Sequence, residues 1–271
     1  MNWLLKALYA ILPKRIIDTL GASGVLRPLR DFMLRPQGRE KLCVESIHWK
    51  GYNFRFTAPI SIAVKAKKKG IESTLLTRYL HYQKDDFVIL DVGANYGFLS
   101  LVFGNSVEAN HGRVFSFEPD PETYQVLTQN IRLNQMDNTI LTFNLAVCAS
   151  GGKVAMEKHQ TSSVIADKAS QVAGAYQIDG ISLDEFTRQH SLDKVDFIKI
   201  DVDGAELEVL RGALGTIKQF RPIIVIEIDE VYEEVGHLLK DIGYRYEDLW
   251  GKAVDLAAME GVLNVFCIPL P

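Results

Sequence analysis

The chain has 271 residues, of which 47% are hydrophobic and 24% are charged, a balance typical of a soluble globular protein with a well-buried core. No stretch reaches the roughly 18–20 continuous apolar residues of a transmembrane helix, so a membrane-spanning segment is not expected. The formal net charge of −4 is unevenly distributed, because residues 1–70 carry a net +10 and residues 71–271 a net −14. We therefore predict a basic N-terminal extension, residues 1–69, on an acidic body, residues 70–271.

The extension begins with short helical segments that have an apolar face and basic flanks. The apolar residues that could share this face are Trp3, Leu4, Leu5, Leu8, Ile11 and Leu12. Lys6 and Pro13 interrupt the run and no small-residue cleavage site follows, so a signal peptide is not expected. Two interpretations stay open: a helical cap packed on the body, or basic helices that rest on anionic lipid at the inner face of the membrane.

The cysteines also bear on the compartment. Cys43, Cys148 and Cys267 are odd in number and lack C-x-x-C spacing. We expect buried thiols in a reducing compartment, and neither a disulfide framework nor a zinc site. This agrees with a cytoplasmic protein that lacks a signal peptide.

In chain order, the pattern changes from a hairpin to alternating strands and helices. Ser46–Pro59 alternates aromatic and polar residues and predicts a hairpin with its turn near Lys50–Asn53, and Lys65–Gly70 is predicted to be a basic loop. Ile71–Gln83 has helical spacing. From Phe87 onwards short apolar strands alternate with helices, and the chain closes with a pair of strands. This alternation predicts an α/β fold, with a parallel sheet covered by helices on both faces.

Two segments inside the body have distinctive sequence patterns. Gly204–Phe220 has a helical pattern throughout and predicts one continuous helix. Gly151–Asp179 is rich in Gly, Ser and Gln, and we interpret it as a hairpin inserted over the domain.

Ligands of parallel sheets bind beyond the carboxyl ends of the strands, so the residues there are the candidate site. The first strand is followed by Asp91-Val-Gly-Ala-Asn-Tyr-Gly97, whose two glycines allow a tight turn and a close approach of the backbone to a ligand. The helix that follows favours a carboxylate at its N-terminus, and Asp91 would accept from an ammonium. The spacing G-x-x-x-G differs from the G-x-G-x-x-G of nicotinamide-binding folds, which disfavours an oxidoreductase.

Acidic residues follow three further strands. Glu118 lies 25 residues beyond Gly93, where an acidic side chain can bind both hydroxyls of a ribose. The other acidic residues are Asp201, Asp203 and Glu206 after the fourth strand, and Glu227 and Asp229 after the fifth. Clustered like charges cost free energy, and a cation, a sulfonium or a general base would explain them. Amine, carboxylate, ribose and positive centre together describe S-adenosylmethionine, which we predict as the cofactor.

The body resembles the FkbM-type S-adenosylmethionine-dependent methyltransferases in five blocks taken in order: VILDVGANYGFLSL, FSFEPDPETYQVLTQNIRLN, ISLDEF, VDFIKIDVDGAELEVLRGA and PIIVIEI. The resemblance covers roughly Gly70–Pro269. It implies a Rossmann-like class I methyltransferase fold, with a seven-stranded, mostly parallel sheet whose last strand is antiparallel. It also implies methyl transfer to oxygen, usually to a hydroxyl on a sugar, a glycan or a secondary metabolite.

The resemblance assigns roles to individual positions. The residues matched to the methionine end of the cofactor are Asp91, Gly93, Ala94, Asn95 and Gly97. Glu118 and Pro119 match the ribose position, and Leu145 and Ala146 lie where adenine would stack. The block that contains Asp203 usually has Glu at that position, and the shorter side chain weakens any role for Asp203 itself.

A hydroxyl acceptor must lose a proton during transfer. We predict that Asp201, with Glu227 or Glu206 nearby, supplies a general base or a divalent-metal site that acidifies the hydroxyl. The expected partner is a small-molecule or glycan acceptor; the sequence indicates neither the acceptor nor an oligomeric state.

Two alternatives remain open at this point. A nucleic-acid methyltransferase would fit the basic extension, but the acidic body disfavours a phosphate backbone, and neither an Asn-Pro-Pro-aromatic block nor a Pro-Cys nucleophile is present. A non-catalytic module that only binds the cofactor is opposed by the full set of carboxylates after the strands.

Overall fold

The computed structural model describes residues 41–158, 163–165, 176–228, 230–259, 261 and 263–271. The helices predicted at the N-terminus lie outside the described residues, and so does Asp229. A compact unit spans Cys43–Pro271, whereas the sequence-based prediction places the start of the body at residue 70. Within the described ranges, no helix combines the length and the hydropathy needed to cross a bilayer.

The hairpin predicted near residue 50 is present and belongs to the compact unit. Strands β1 (Leu42–Trp49) and β2 (Tyr52–Pro59) pair in a two-stranded sheet. The rings of Phe54 and Phe56 pack edge-on against Phe98, with centroids 5.4 and 5.3 Å away. These buried aromatic contacts attach the hairpin to the body.

The basic loop predicted at Lys65–Gly70 is wrong, because these lysines end a helix. Helix α1 spans Ile60–Lys69 and buries Ala63 and Ala66. Alanine and lysine are both good helix formers, so one small apolar face suffices to form the helix. Gly70, at φ +72°, ends it by donating its N–H to the carbonyl of Ala66. Helix α2 (Ser73–Tyr79) follows, within the range predicted to be helical.

The remaining elements follow in chain order. They are β3 (Val88–Val92), α3 (Phe98–Val107), β4 (Arg113–Phe117), α4 (Pro121–Leu133), β5 (Ile140–Phe143), β6 (Ala146–Val147), β7 (Gly152–Lys158), β8 (Ser163–Ile165), β9 (Tyr176–Ile181), α5 (Leu183–Gln189), β10 (Phe197–Ile200), α6 (Glu206–Arg211), α7 (Leu214–Phe220), β11 (Ile223–Ile228), α8 (Tyr232–Lys240), β12 (Tyr244–Glu247) and β13 (Leu263–Pro269), with short 3₁₀ turns at Glu108–Asn110 and Leu256–Ala258.

The central sheet confirms the predicted fold. Its seven strands lie in the order β12-β13-β11-β10-β3-β4-β5. Strands β10, β11, β3, β4 and β5 are parallel, and β13 is antiparallel to both of its neighbours, β11 and β12. The chain reverses its direction of winding at β3, which lies between β4 and β10, so the switch point of the sheet lies between β3 and β10.

Packed side chains cover both faces of the sheet, which explains why the strand sequences are continuous apolar runs. On one face Ile89, Phe197, Val225 and Phe266 pack in a cluster that includes Tyr79 of α2. On the other face the alternate residues pack in a second cluster, which includes Leu90, Ile198, Ile224 and Ile226 with side chains of α6, α7 and α8. Cys148 and Cys267 are buried free thiols, whereas Cys43 is only partly buried.

Two segments differ in detail from their predictions. The predicted inserted hairpin corresponds to a small sheet of order β6-β9-β7-β8, in which β7 is antiparallel to both β8 and β9. The single helix predicted over Gly204–Phe220 is wrong, because α6 ends at Arg211 and α7 begins at Leu214. The Asp184 carboxylate accepts from the N–H groups of Gly215 and Thr216 and so fixes a new helix start.

Candidate active site

The candidate site lies at the carboxyl ends of β3 and β10, the switch point of the sheet. Asp91 in β3 is directly paired with Lys199 in β10. Asp201 follows β10, and its N–H donates to the carbonyl of Val92. The register therefore places two carboxylates and one ammonium on neighbouring strands at this edge.

Asp91 is completely buried. Its Oδ2 accepts a 2.6 Å hydrogen bond from the hydroxyl of Ser100, which in turn accepts from Ser116 at 3.0 Å. Its Oδ1 lies 3.6 Å from the ammonium of Lys199 but has no hydrogen-bond partner. Burial raises the pKa of Asp91, and the Lys199 ammonium and the Ser100 hydroxyl oppose that rise. A buried acceptor oxygen is thus left open in the site.

Lys199 connects the two strands. Its Nζ lies 3.2 Å from Asp201 Oδ2 and donates to the carbonyl of Gly93 at 2.7 Å. Burial alone would lower the pKa of Lys199, but the carboxylates of Asp201 and Asp91 outweigh it and hold that pKa above its usual value. Lys199 is therefore a charged partner of both carboxylates.

The loop after β3 is tightly constrained. Gly93 has φ +77°, and a Cβ there would lie 1.9 Å from the carbonyl oxygen of Asp201. Gly97 has φ +84° and precedes α3, and Asn95 adopts φ +51°. The first intrahelical bond of α3 runs from Leu101 N–H to the carbonyl of Gly97, so the N–H groups before Leu101 have no partner within the helix. The predicted glycine turn and anion-favouring helix start are both in place.

Glu118 joins the end of β4 to this loop. Its Oε2 accepts from the N–H of Asn95 at 2.9 Å, and its Oε1 accepts from the N–H of Asp120, also at 2.9 Å. Burial raises the pKa of Glu118 to about 7, against these two hydrogen bonds, which lower it. A carboxylate can accept about four hydrogen bonds, so each oxygen keeps room for a hydroxyl.

The predicted adenine-side residues lie next to Glu118 in the fold. The side-chain amide of Asn144 donates to the carbonyls of Glu118 and Pro119, at 2.9 and 3.0 Å. This bond holds the start of the following segment, half-buried Leu145 and buried Ala146, against the end of β4. The structure thus brings together residues from three separate strand ends.

Two carboxylates and one amide occupy the other side of the edge. Glu227, near the end of β11, is paired in register with Asn264 of β13, whose amide donates to its Oε2 at 3.0 Å. Burial raises the pKa of Glu227, and the charge of Asp201 raises it further. Asp201 itself is 40% exposed at its side chain and paired with Lys199.

Glu72 is a member of this group that the sequence did not indicate. It precedes α2 with φ +49°, and burial followed by the charge of Asp201 raises its pKa, while Lys199 and Lys65 lower it. The charge of Glu72 also raises the pKa of Glu227. Glu72 and Asn264 lie 129 and 63 residues from Asp201 in the sequence, and neither falls in a recognisable motif.

Glu206 has a different environment from Asp201 and Glu227. Its Oε1 accepts from the N–H of Gly204, so the carboxylate is turned towards the start of its own helix, α6. Burial raises the pKa of Glu206, with smaller contributions from Asp203 and Asp201. In the described part of the chain, no group of three or more His, Cys, Asp or Glu side chains is arranged to hold a metal ion.

The residues present fit the predicted cofactor. The open Oδ1 of Asp91 is an acceptor for an ammonium or a bridging water, and Glu118 can accept from the two hydroxyls of a ribose. The unpartnered N–H groups at the start of α3 suit a carboxylate. Amine, carboxylate and ribose therefore each have a matching group at this edge.

Comparison with known proteins agrees with this arrangement. The model of the family described as Methyltransferase FkbM domain matches residues 91–246, more than half of the chain. The hexuronic acid methyltransferase AglP of Haloferax volcanii is 30% identical over 176 residues, which are 65% of this chain and 70% of that protein. The 2-O-methyltransferase NoeI of Sinorhizobium fredii is 28% identical over 174 residues, 56% of this chain and 68% of that protein.

Among solved structures, the methyltransferase FkbM of Methylobacillus flagellatus is 18% identical and aligns with a TM-score of 0.48. That alignment covers 68% of this chain and 44% of the solved one. The matched family region begins at Asp91 and ends within β12, so it contains every strand end described above. On the family match, the chain belongs to the FkbM-domain methyltransferases.

Proposed function

We propose that the protein is an S-adenosylmethionine-dependent O-methyltransferase that acts on a hydroxyl of a sugar or glycan. The observation that carries this proposal is Glu118, whose buried carboxylate meets the glycine loop at the switch point of the sheet. The names of the two relatives, a hexuronic acid methyltransferase and a 2-O-methyltransferase, support an oxygen acceptor on a sugar.

The chain's own groups would hold the cofactor by its polar ends. Asp91 and the N-terminus of α3 would bind the amino acid end, Glu118 the ribose, and Leu145 with Ala146 the adenine. When bound, S-adenosylmethionine supplies a methyl group on a sulfonium. Alignment of donor and acceptor by a rigid sheet edge lowers the activation barrier of such a transfer, by roughly 7–11 kcal/mol at most.

Glu227 is the carboxylate best suited to accept the proton of the acceptor. Its pKa is raised by burial and by Asp201, and a base whose pKa approaches the working pH is the most effective. Asp201 is already engaged by the ammonium of Lys199 at 3.2 Å. We therefore assign the general base to Glu227 and a positioning role to Asp201, with Glu206 confined to the start of α6.

The charge of the compact unit favours a small acceptor over nucleic acid. Cys43–Pro271 contains 22 Lys and Arg residues against 31 Asp and Glu residues. A phosphate backbone would meet net repulsion from such a surface.

The proposal is tested by replacing Glu227 and measuring binding and turnover separately. Glu227→Gln should lower kcat about 100-fold, because a positioned general base contributes roughly 10²–10⁴-fold. The dissociation constant for S-adenosylmethionine, measured by calorimetry, should stay within about threefold. Glu234→Gln, at an exposed position of α8, is the matched control and should leave both values unchanged.

Radiolabelled methyl transfer to a panel of uronic acids and neutral sugars supplies the turnover. Full activity of Glu227→Gln would contradict the assignment of the base. Cofactor binding without transfer to any hydroxyl acceptor would contradict the proposed acceptor class.

A further inference from the structure

An open cleft lies between α2 and the segment that follows β12. It has a volume of about 650 Å³. The lining includes Ser73, Thr74, Thr77, His81, Glu247 and Trp250. The volume is in the range of small-molecule sites in proteins, roughly 300–1,000 Å³.

The lining combines one exposed aromatic ring with several hydrogen-bonding groups. Trp250 is 80% exposed, more than any other large hydrophobic side chain in the described part of the chain. Thr74 and His81 are both exposed, so the hydroxyl and the imidazole are accessible to a ligand in the cleft. A sugar ring has the complementary surface, with an apolar C–H face and a rim of hydroxyls. A flat ring next to such donors and acceptors matches a saccharide better than a purely apolar ligand.

Trp250 is held in its exposed position by the loop that carries it. The Asp248 carboxylate accepts from the N–H groups of Trp250 and Lys252, at 2.8 and 2.9 Å, and Gly251 completes the turn at φ +88°. The guanidinium of Arg78 in α2 donates to the carbonyl of Asp248. The loop is thus tied both to itself and to α2, which reduces the entropy lost when a ligand binds.

Arg78 is itself well anchored. It forms an ion pair with Glu247 and lies over the ring of Phe266, 4.3 Å from the centroid. Arg78 is 8% exposed, and both partners come from the sheet. The wall of the cleft is therefore part of the rigid core and not a separate flap.

The register places the cleft on the same face of the sheet as the proposed base. Glu247 pairs with Phe266, and Phe266 pairs with Val225, so all three side chains share one face. Glu227 lies two residues beyond Val225 on that face. Ser73, which lines the cleft, directly follows Glu72, whose charge acts on Glu227. The cleft and Glu227 therefore lie on the same face of the sheet, two strands and two residues apart in the register.

We propose that this cleft binds a second sugar ring of the acceptor, stacked on Trp250, so that the preferred acceptor is an oligosaccharide or glycoconjugate. This inference rests on the proposed function. It adds a substrate class that neither the family nor the cofactor site defines. A free monosaccharide at Glu227 would leave Trp250 without a contact.

The test uses the full chain and a panel of tetrasaccharides built from neutral hexoses, amino sugars or hexuronic acids, with the corresponding monosaccharides. Saturation-transfer NMR detects binding, and methyl transfer gives KM and kcat. At least one tetrasaccharide should bind, and Trp250→Ala should weaken it about tenfold, the size of a lost aromatic contact. Transfer to the monosaccharide and affinity for S-adenosylmethionine should not change.

Two control variants define the effect. Trp250→Phe keeps a flat ring and should stay within about threefold of the wild type, since most of the stacking area remains. Leu270→Ala removes another exposed apolar side chain, 45% exposed, and should have no effect. A Trp250→Phe variant as weak as Trp250→Ala would contradict stacking.

Three further results would overturn the inference. They are no binding of any tetrasaccharide, equal binding by the wild type and Trp250→Ala, or a wild-type dimer in light scattering that Trp250→Ala abolishes. The last result would place Trp250 in an interface between two copies of the chain. Failure of the inference leaves cofactor binding and the dependence on Glu227 intact, whereas failure of the proposed function removes one of these.

Discussion

The two sides of the sheet edge differ in how deeply their carboxylates are buried and in which groups contact them. On the side proposed for the cofactor (the cofactor side), at the ends of β3 and β4, Asp91 and Glu118 are at most 7% exposed, and both accept hydrogen bonds from neighbouring protein groups. On the side proposed for the acceptor (the acceptor side), at the ends of β10 and β11, Asp201 and Glu227 are only partly buried, and the charge of Asp201 raises the pKa of Glu227. This difference supports a preformed site for the proposed cofactor and a more accessible site for the proposed acceptor.

This difference has a physical origin in the chain. The cofactor side is built from one loop and one neighbouring strand end, so short-range backbone hydrogen bonds fix it. The acceptor side collects residues from the start of α2, from β11 and from β13, and the pKa values of Glu72 and Glu227 are raised there, as suits a proton acceptor.

The largest expected effect concerns Lys199, which belongs to both sides. Lys199→Met should lower the free energy of unfolding by about 3–5 kcal/mol, because it leaves the buried Asp91 without its counter-charge. Urea denaturation followed by circular dichroism measures this. The double variant Asp91→Asn with Lys199→Met should be more stable than Lys199→Met alone, since the fully buried Asp91 charge is then removed and only the partly exposed Asp201 loses its partner. Equal loss in both variants would show that Lys199 acts by packing alone.

A smaller effect is expected from the contact between the two sides. Gly93→Ala should cost about 3 kcal/mol of stability, because the Cβ would lie 1.9 Å from the Asp201 carbonyl at a φ of +77°. Gly204→Ala is the matched control, since Gly204 also has φ +77° but nothing lies within 4 Å of the added Cβ. That control should cost only about 1 kcal/mol of backbone strain. Similar losses in the two variants would contradict the close approach.

The smallest effect is the pH dependence of cofactor binding. Ribose hydroxyls donate to the ionised form of Glu118, whose pKa is about 7, so affinity for S-adenosylmethionine should rise with pH. The rise attributable to Glu118 should be about tenfold between pH 6 and pH 8. Calorimetry on the wild type and Glu118→Gln measures it, and their difference removes the titration of the ligand's own amine. Parallel profiles would contradict a role for Glu118 at the ribose.

The same carboxyl should affect stability with a defined sign. Folding raises the pKa of Glu118 from 4.5 to about 7, so its neutral form favours the folded state. This contribution is complete below pH 4.5 and is lost as the pH rises through about 7. In the absence of cofactor, Glu118→Gln should therefore weaken the decrease in stability between pH 5 and pH 8.

The cofactor side could be predicted from the sequence because its determinants are local. Asp91, Gly93 and Gly97 fall within seven residues, and Glu118 follows at a spacing set by one strand-helix-strand unit. The parallel sheet predicted from short apolar strands alternating with helices is confirmed, and so is the antiparallel last strand, which the family resemblance implied.

On the acceptor side the sequence predicted Asp201 and Glu227 but not Glu72 and Asn264, because these two join the group only through the tertiary fold. Asn264, in β13, donates a hydrogen bond to Glu227 in the neighbouring strand β11. Glu72 lies directly before α2. Local errors have a similar cause. The lysines before Gly70 form a helix on two buried alanines, and the carboxylate of Asp184, about 30 residues away, fixes the start of α7.

Calorimetric titration of the full chain with S-adenosylmethionine tests the central claim most directly. The account predicts saturable binding with a dissociation constant well below about 1 mM, a value that corresponds to roughly −4 kcal/mol. Affinity should fall in Glu118→Gln and should be retained in Glu227→Gln and Trp250→Ala. Folded wild-type protein that gives no binding heat at about 1 mM ligand would contradict the claim that this sheet edge holds the cofactor.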